Sequence, residues 1–214
     1  MEKTIPMSTS KGVFISFEGI DCCGKSTQVK MLDNHLKKIG HKTLLVREPG
    51  GTIISEEIRN ILLHRPEENI SDRTEALLMT GSRSQLTFEK IIPSINNGIN
   101  VIADRFLDST LAYQGGGREL DLNWLIELNK FATFNTLPNI TIFIDIVPEL
   151  GAERNNSAGD RIENAGINFQ SRVRDTYIKL SHIFKDRYVT IDGKKDVHTI
   201  HNKIISTLIK RNLI

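Results

Sequence analysis

Cysteine is almost missing from this chain: Cys22 and Cys23 are the only two, and they are adjacent. Neighbouring thiols are poorly suited to a structural disulfide and cannot complete a tetrahedral zinc site, which excludes a disulfide-stapled scaffold and a zinc module. A reducing, cytoplasmic setting is the expectation. No run approaches the roughly 18 apolar residues that a membrane-crossing helix needs. Met1 to Lys11 is polar and lacks the apolar stretch of a secretory signal, so no membrane partner is expected. Charge of one sign is also scarce. With 28 Lys+Arg against 26 Asp+Glu, the net charge is +2, which argues against a general nucleic-acid binder and for cations placed singly against phosphates. His35, His41, His64, His182, His198 and His201 show no ligand spacing and read as surface or packing residues.

What is present is an ordinary globular composition, 39% hydrophobic and 25% charged over 214 residues, enough for one domain with a full core. Residues 1–11 read as a flexible N-terminal extension, with Met7 a second candidate start, and 12–214 as a single domain. β-branched runs at Val13–Phe17, Thr43–Arg47, Asn100–Ala103, Ile140–Ile146 and Tyr188–Ile191 are short and nearly uniformly apolar, as strands buried on both faces are. Between them lie helical patterns at Lys25–Ile39, from Ile53, from Ser71 to about Asn97 with Pro93 bending or dividing it, and at Leu122–Phe134, Ile167–Phe184 and Val197–Lys210. Trp124 reads as core of its helix. The alternation predicts a three-layer α/β/α fold with a five-stranded parallel sheet and right-handed crossovers.

Gly19-Ile20-Asp21-Cys22-Cys23-Gly24-Lys25-Ser26 matches the phosphate-binding pattern G-x-x-x-x-G-K-[ST] between an apolar strand and a helix. Its glycines let backbone N–H groups fold round phosphates at a helix N-terminus. Lys25 can reach the β- and γ-phosphates, the Ser26 hydroxyl can ligate Mg²⁺, and Thr27 extends the nucleotide site. Cys22 and Cys23 have two readings: small residues filling a tight turn, or thiols made oxidisable by phosphate-facing amides and the helix dipole.

A nucleoside triphosphate therefore binds, and the remaining residues choose among switch, motor and kinase. The nearest guanine-reading pattern, Asn129-Lys130-Phe131-Ala132, lacks the required carboxylate. Arginines that neutralise donor and acceptor phosphates point instead to a small-molecule kinase. Arg47 and Arg105 read as bidentate clamps on an acceptor phosphate. Asp104, after Val101-Ile102-Ala103, reads as a Mg²⁺ partner of Ser26, as a helix N-cap, or as both.

Three segments end candidate strands or follow them: Arg47-Glu48-Pro49-Gly50-Gly51-Thr52, Asp104-Arg105-Phe106 leading to Asp108-Ser109-Thr110-Leu111-Ala112-Tyr113-Gln114-Gly115, and Asp160-Arg161-Ile162-Glu163. With Phe17-Glu18-Gly19-Ile20-Asp21, these blocks resemble thymidylate kinases, particularly the bacterial form, over nearly the whole chain from Gly12. The resemblance implies an ATP-Mg²⁺-dependent transfer of a phosphoryl group to dTMP, directly and in line, by a homodimer. It implies an acceptor site of Glu18, Arg47, Glu48, Pro49, Arg105 and Ser109, with Asp21 facing the 3′-hydroxyl of the sugar. Arg83 and Met79 are placed at thymine, although Met79 departs from the family's aromatic residue. Thr110 and Gln114 become the polar readers of the base, and Tyr113 the residue crowding C2′. Residues of about 151–162 resemble the lid, with Arg154 and Arg161 as catalytic candidates because the loop itself, Ile20 to Cys23, carries no base. Ile191 to Lys194 borders the adenine or is a plain turn.

Overall fold

The computed structural model describes residues 11–65, 69–155, 161–162 and 165–214. The N-terminal extension up to Ser10, the lid positions Asn156 to Asp160, and Glu163 lie outside the described residues.

Strands β1 (Phe14–Glu18), β2 (Thr43–Arg47), β3 (Asn100–Asp104), β4 (Ile140–Asp145) and β5 (Tyr188–Asp192) form one parallel sheet in the order β2-β3-β1-β4-β5. β1 is flanked on both sides and covered on both faces, which is why all five of its residues are buried, including the polar Ser16 and Glu18. Register sets the functional edge. Phe17 and Arg47 both pair with Asp104, so β1, β3 and β2 end level with one another. Ligands bind at such carboxyl ends of an open α/β sheet, where the strand order reverses.

Helices α1 (Lys25–Lys38), α2 (Ile53–Leu63) and α3 (Asp72–Leu86) match their amphipathic patterns. Ser71 caps α3 by accepting the Thr74 amide at 3.3 Å, and Thr52 caps α2 through the Ser55 amide at 3.1 Å. The long helix expected up to Asn97 is divided, as Pro93 foreshadows. A π-helical turn, Thr87–Ile91, comes before α4 (Ile92–Asn96), widening the helix just where the proline ring would meet the carbonyl four residues back.

The segment after β3 was not assigned a shape by periodicity. It forms α5 (Leu107–Thr110), running into a second π-helical turn, Leu111–Gly117. Glycine there permits close packing: a Cβ on Gly116 would lie 2.1 Å from Thr176 Oγ1. Next come α6 (Leu122–Ala132), α7 (Pro148–Arg154), α8 (Ile167–Ile183) and α9 (Val197–Lys210). α7 occupies the start of the segment expected to be an irregular lid. One core expectation fails. Leu125 is fully buried on α6, but Trp124 is 40% exposed and Phe131 84% exposed, because these two point away from α3.

A buried ion pair ties α5 to the far side of the sheet. Arg187, just before β5, donates to both oxygens of the fully buried Asp108 at 2.6 and 2.7 Å and to Thr141 Oγ1 at 2.6 Å. Its guanidinium lies over the Phe184 and Tyr188 rings. Arg187→Ala strands a charged carboxylate in the core and is expected to cost about 3–5 kcal/mol. A denaturant titration checks this through a lower midpoint at unchanged slope; an unmoved midpoint would refute it.

Candidate active site

The phosphate-binding loop leaves β1 through Gly19, whose φ of 142° and closeness to the Ile144 carbonyl, 2.5 Å from a built Cβ, admit no side chain. It continues through Cys22 at φ 59° and Gly24 at φ 100° into α1. Lys25 Nζ donates back to the Gly19 and Ile20 carbonyls at 3.1 and 2.8 Å and lies 3.7 Å from Cys23 Sγ. Ser26 Oγ donates to Asp104 Oδ2 at 2.6 Å, so the pair expected to meet at a cation does meet.

Arg105 follows β3 with φ 72°, a left-handed conformation that a non-glycine residue holds only when its surroundings enforce it. The surroundings here are five acceptors. Its Nη1 donates to the Gly19 carbonyl at 2.9 Å, Ser109 Oγ at 3.2 Å and Tyr177 OH at 3.4 Å. Its Nη2 donates to Asp21 Oδ1 and, at 2.9 Å, to Tyr113 OH, while its carbon sits 4.7 Å from the Tyr113 ring centre. Asp21 also accepts from Tyr113 OH at 2.9 Å and from Gln170 Nε2 at 3.2 Å. Burial raises the Asp21 pKa, but the charges of Arg105 and Lys25 with these hydrogen bonds outweigh it and hold the carboxyl below its ordinary value.

Three buried glutamates back the site. Glu18 Oε1 accepts from the Phe106 amide at 2.7 Å and Ser16 Oγ at 3.0 Å; Oε2 accepts from Ser109 Oγ at 2.6 Å and Tyr177 OH at 2.8 Å. Burial and the neighbouring Asp108 raise its pKa, and its hydrogen bonds and Arg105 offset only part of that. Glu48 pairs with Arg83, both almost wholly enclosed. Arg83 directs its guanidinium onto protein: Nε donates to Glu48 Oε2 at 2.7 Å, Nη1 to Thr110 Oγ1 and Asn129 Oδ1 at 2.7 Å each and Nη2 to the Phe106 carbonyl at 3.0 Å, and Nη2 also forms a close ion pair with Glu48. Glu75, the third, takes Gln114, Arg118 and Arg161 as donors.

These groups surround a cavity of about 540 Å³, within the usual size of a small-molecule site. Of the residues singled out from sequence, Asp21, Cys22, Gly24, Lys25, Ser26, Thr27, Arg47, Glu48, Pro49, Met79, Arg83, Asp104, Arg105, Ser109, Thr110, Tyr113, Gln114 and Arg154 line it. Glu18 is not among them, because it is enclosed beneath the wall and holds Ser109 from behind. Ile20 and Cys23 bury their side chains in the core, and with Gly19 they are absent from the cavity wall. Arg161 is drawn away, onto Glu75 at 2.6 Å and the Leu62 carbonyl at 3.2 Å.

A family model described as thymidylate kinase matches residues 17–204. The chain belongs to the thymidylate kinase family. A thymidylate kinase of Caldanaerobacter subterraneus subsp. tengcongensis is 45% identical over 199 residues, covering 92% of this chain and 95% of that protein. Another, of Thermoanaerobacter pseudethanolicus, is 46% identical over 201 residues, covering 94% and 98%. A third, of Lactobacillus helveticus, is 41% identical over 206 residues, covering 94% and 97%.

The cavity and its surroundings also include residues that the sequence reading did not single out. Arg59 shares the Pro49 carbonyl with Arg47, at 2.8 and 3.1 Å, and lines the cavity. Its signal was available: Arg59 lies one helical turn beyond Glu56, which holds Arg47 at 3.0 Å. Asn129, discarded with the failed guanine pattern, orients Arg83 instead. Tyr177, Glu75 and Arg118 come from distant segments and carried no local signal.

Burial lifts the Glu48 carboxyl from the ordinary 4.5 to about 7, against the opposing pull of Arg83. Between those values the folded state holds a proton that the unfolded state has released. Stability contributed at Glu48 is therefore complete below about pH 4.5 and is lost as pH rises through about 7. Glu48→Gln should remove this part of the slope. Parallel pH–stability curves for the variant and the parent protein would contradict it.

Proposed function

We propose that the chain phosphorylates dTMP to dTDP with ATP, a step toward DNA precursors, by direct in-line transfer. The observation that carries this reading is one cavity lined both by Lys25, Ser26 and Asp104 and by Arg47, Arg105, Thr110 and Gln114. Membership of the thymidylate kinase family supports the same activity.

The ATP phosphates rest on the loop amides, and Lys25 exchanges its bonds to the Gly19 and Ile20 carbonyls for phosphate oxygens. The donors Ser26 Oγ and Asp104 Oδ2 are both hard oxygens on the cavity wall, which suits Mg²⁺ held mainly by phosphates. When bound, the ion screens charge on the transferring phosphoryl group. Arg105 and Arg47 hold the acceptor phosphate. One of its oxygens forms the new bond to the γ-phosphorus as the bond to the β-bridging oxygen of ATP breaks, leaving ADP and dTDP. Asp21, kept ionised by Arg105, accepts from the 3′-hydroxyl. Tyr113, fixed by Asp21 and Arg105, crowds C2′ of the sugar. With its guanidinium turned onto protein, Arg83 acts by fixing Thr110 and Glu48 beside the base, while Met79 covers the ring from the cavity wall.

Of the two lid arginines, Arg154 is the one we assign to transfer. It lines the cavity and is steadied by donation to the Gly193 carbonyl at 3.1 Å, within the loop expected at the adenine. No described helix is long and apolar enough to cross a membrane, and a cytoplasmic location is proposed. A homodimer is proposed as well. Phe88 after α3 and Phe134 after α6 are 64% and 51% exposed with ring centres 6.0 Å apart, an apolar pair suited to burial against a second copy.

The deciding assay is ADP formation with ATP-Mg²⁺ and each of dTMP, dUMP, dCMP, dGMP, AMP and thymidine, with dTMP expected to be strongly preferred. Preference for another acceptor would keep the transfer scheme but overturn the base-reading roles. Arg154→Ala should lower kcat by roughly 10³-fold, as supplied arginines do in phosphoryl transfer, with little change in the KM for ATP. A kcat within twofold of the parent enzyme would remove Arg154 from the mechanism.

A further inference from the structure

Glu75 lies in the first turn of α3, is fully buried, and does not line the cavity. Its Oε1 accepts from Gln114 Nε2 at 2.8 Å and Arg118 Nε at 3.2 Å. Its Oε2 accepts from Arg118 Nη2 at 3.1 Å and Arg161 Nη2 at 2.6 Å. Burial acts to raise the Glu75 pKa, but hydrogen bonds from Arg118, Gln114 and Arg161 prevail and keep it below the ordinary value. An ionised carboxylate can only accept hydrogen bonds. The end of the Gln114 amide that touches it is therefore the NH₂ end. That leaves Oε1 of Gln114 as the end on the cavity side.

We propose that Glu75 is a positioning residue for base specificity: by holding the NH₂ of Gln114 it presents an acceptor to the cavity, selecting a pyrimidine that donates a ring N–H. This rests on the reading of Gln114 as a contact to the acceptor base. Thymine and uracil carry a proton on N3, whereas cytosine has a lone pair there. An inverted Gln114 would suit cytosine. With Glu75 ionised, inversion would set the amide oxygen against a carboxylate, and neither oxygen could donate. Two arginines on one buried glutamate are then accounted for: they keep Glu75 charged, and so keep Gln114 in one orientation. Arg118 is itself fixed over the Phe169 ring at 4.8 Å, and Arg161 joins from the segment after α7.

The test measures kcat/KM for dTMP, dUMP and dCMP at saturating ATP. Glu75→Gln supplies a side chain that can donate as well as accept, so it permits inversion of Gln114. The dTMP/dCMP ratio should fall by at least about 10-fold, the equivalent of one misplaced buried hydrogen bond. The dTMP/dUMP ratio should hold, since both bases carry the N3 proton, and the KM for ATP should not move. In a Gln114→Ala background, Glu75→Gln should change the dTMP/dCMP ratio no further. A uniform loss with all three acceptors would overturn the proposal, leaving Glu75 a packing residue. If Gln114→Ala itself left the dTMP/dCMP ratio unchanged, the reading of Gln114 as a base contact would fall first. A readout independent of variant folding is hydrogen exchange of the Gln114 side-chain amide in the parent protein by ¹⁵N NMR. Protection is expected there, and exchange as fast as in free glutamine would sink the idea.

Discussion

The site depends on the contact between Arg105 and Asp21. It joins the end of β3 to the phosphate-binding loop, and through Ser109, Tyr113 and Tyr177 it extends to the π-helical turn and α8. Arg105 must adopt a left-handed backbone to make it. Conformations of that kind cost of order 1–3 kcal/mol and persist only when several contacts over-determine them. What this arrangement gains is alignment before substrate arrives. The phosphate-binding loop and Arg105 are joined at the Gly19 carbonyl, which also accepts from Lys25, so neither can shift without the other.

Burial alone does not decide the state of the three glutamates behind this contact; their cationic partners do. Glu18 is satisfied mainly by hydroxyls and an amide, and its pKa is raised. Glu48 has one arginine, and burial still wins. Glu75 has two, and its pKa is lowered. Carboxyls of one chemical type are thus shifted in opposite directions behind a single wall.

Most of the architecture was legible because it is written locally. The five strands are short apolar runs, and Val197–Lys210 ended where its pattern ended. The glycines and lysine of the loop follow β1, and Ser26 meets Asp104 as residue type and position implied. Other features were not legible, for reasons that differ. The π-helical turn at Leu111–Gly117 has no period to detect, and Gly116 and Gly117 are explained by Thr176 and Phe169, more than 50 positions away. Trp124 looked like core because its neighbours are apolar, yet which face of α6 meets α3 is a tertiary matter. Arg83 carried its family role in sequence, but only the fold shows its guanidinium turned onto Glu48, Thr110, Asn129 and Phe106. Glu75 is one acidic residue in a polar first turn, where helix-dipole preference would explain it without any site.

The Leu111–Gly117 turn carries a consequence for how this protein can change. A π-helical turn accommodates one residue more than an α-helical turn over the same rise. Tyr113 and Gln114, neighbours in the chain, both line the cavity from it. Removing one residue between Leu111 and Gly117 would return the segment to regular winding and leave the chain on either side in register. The segment is therefore constrained in composition more strictly than in length: a Cβ added at Gly116 or Gly117 would lie 2.1 Å from Thr176 or 2.4 Å from the Phe169 ring, and Tyr113 and Gln114 are held on the cavity wall.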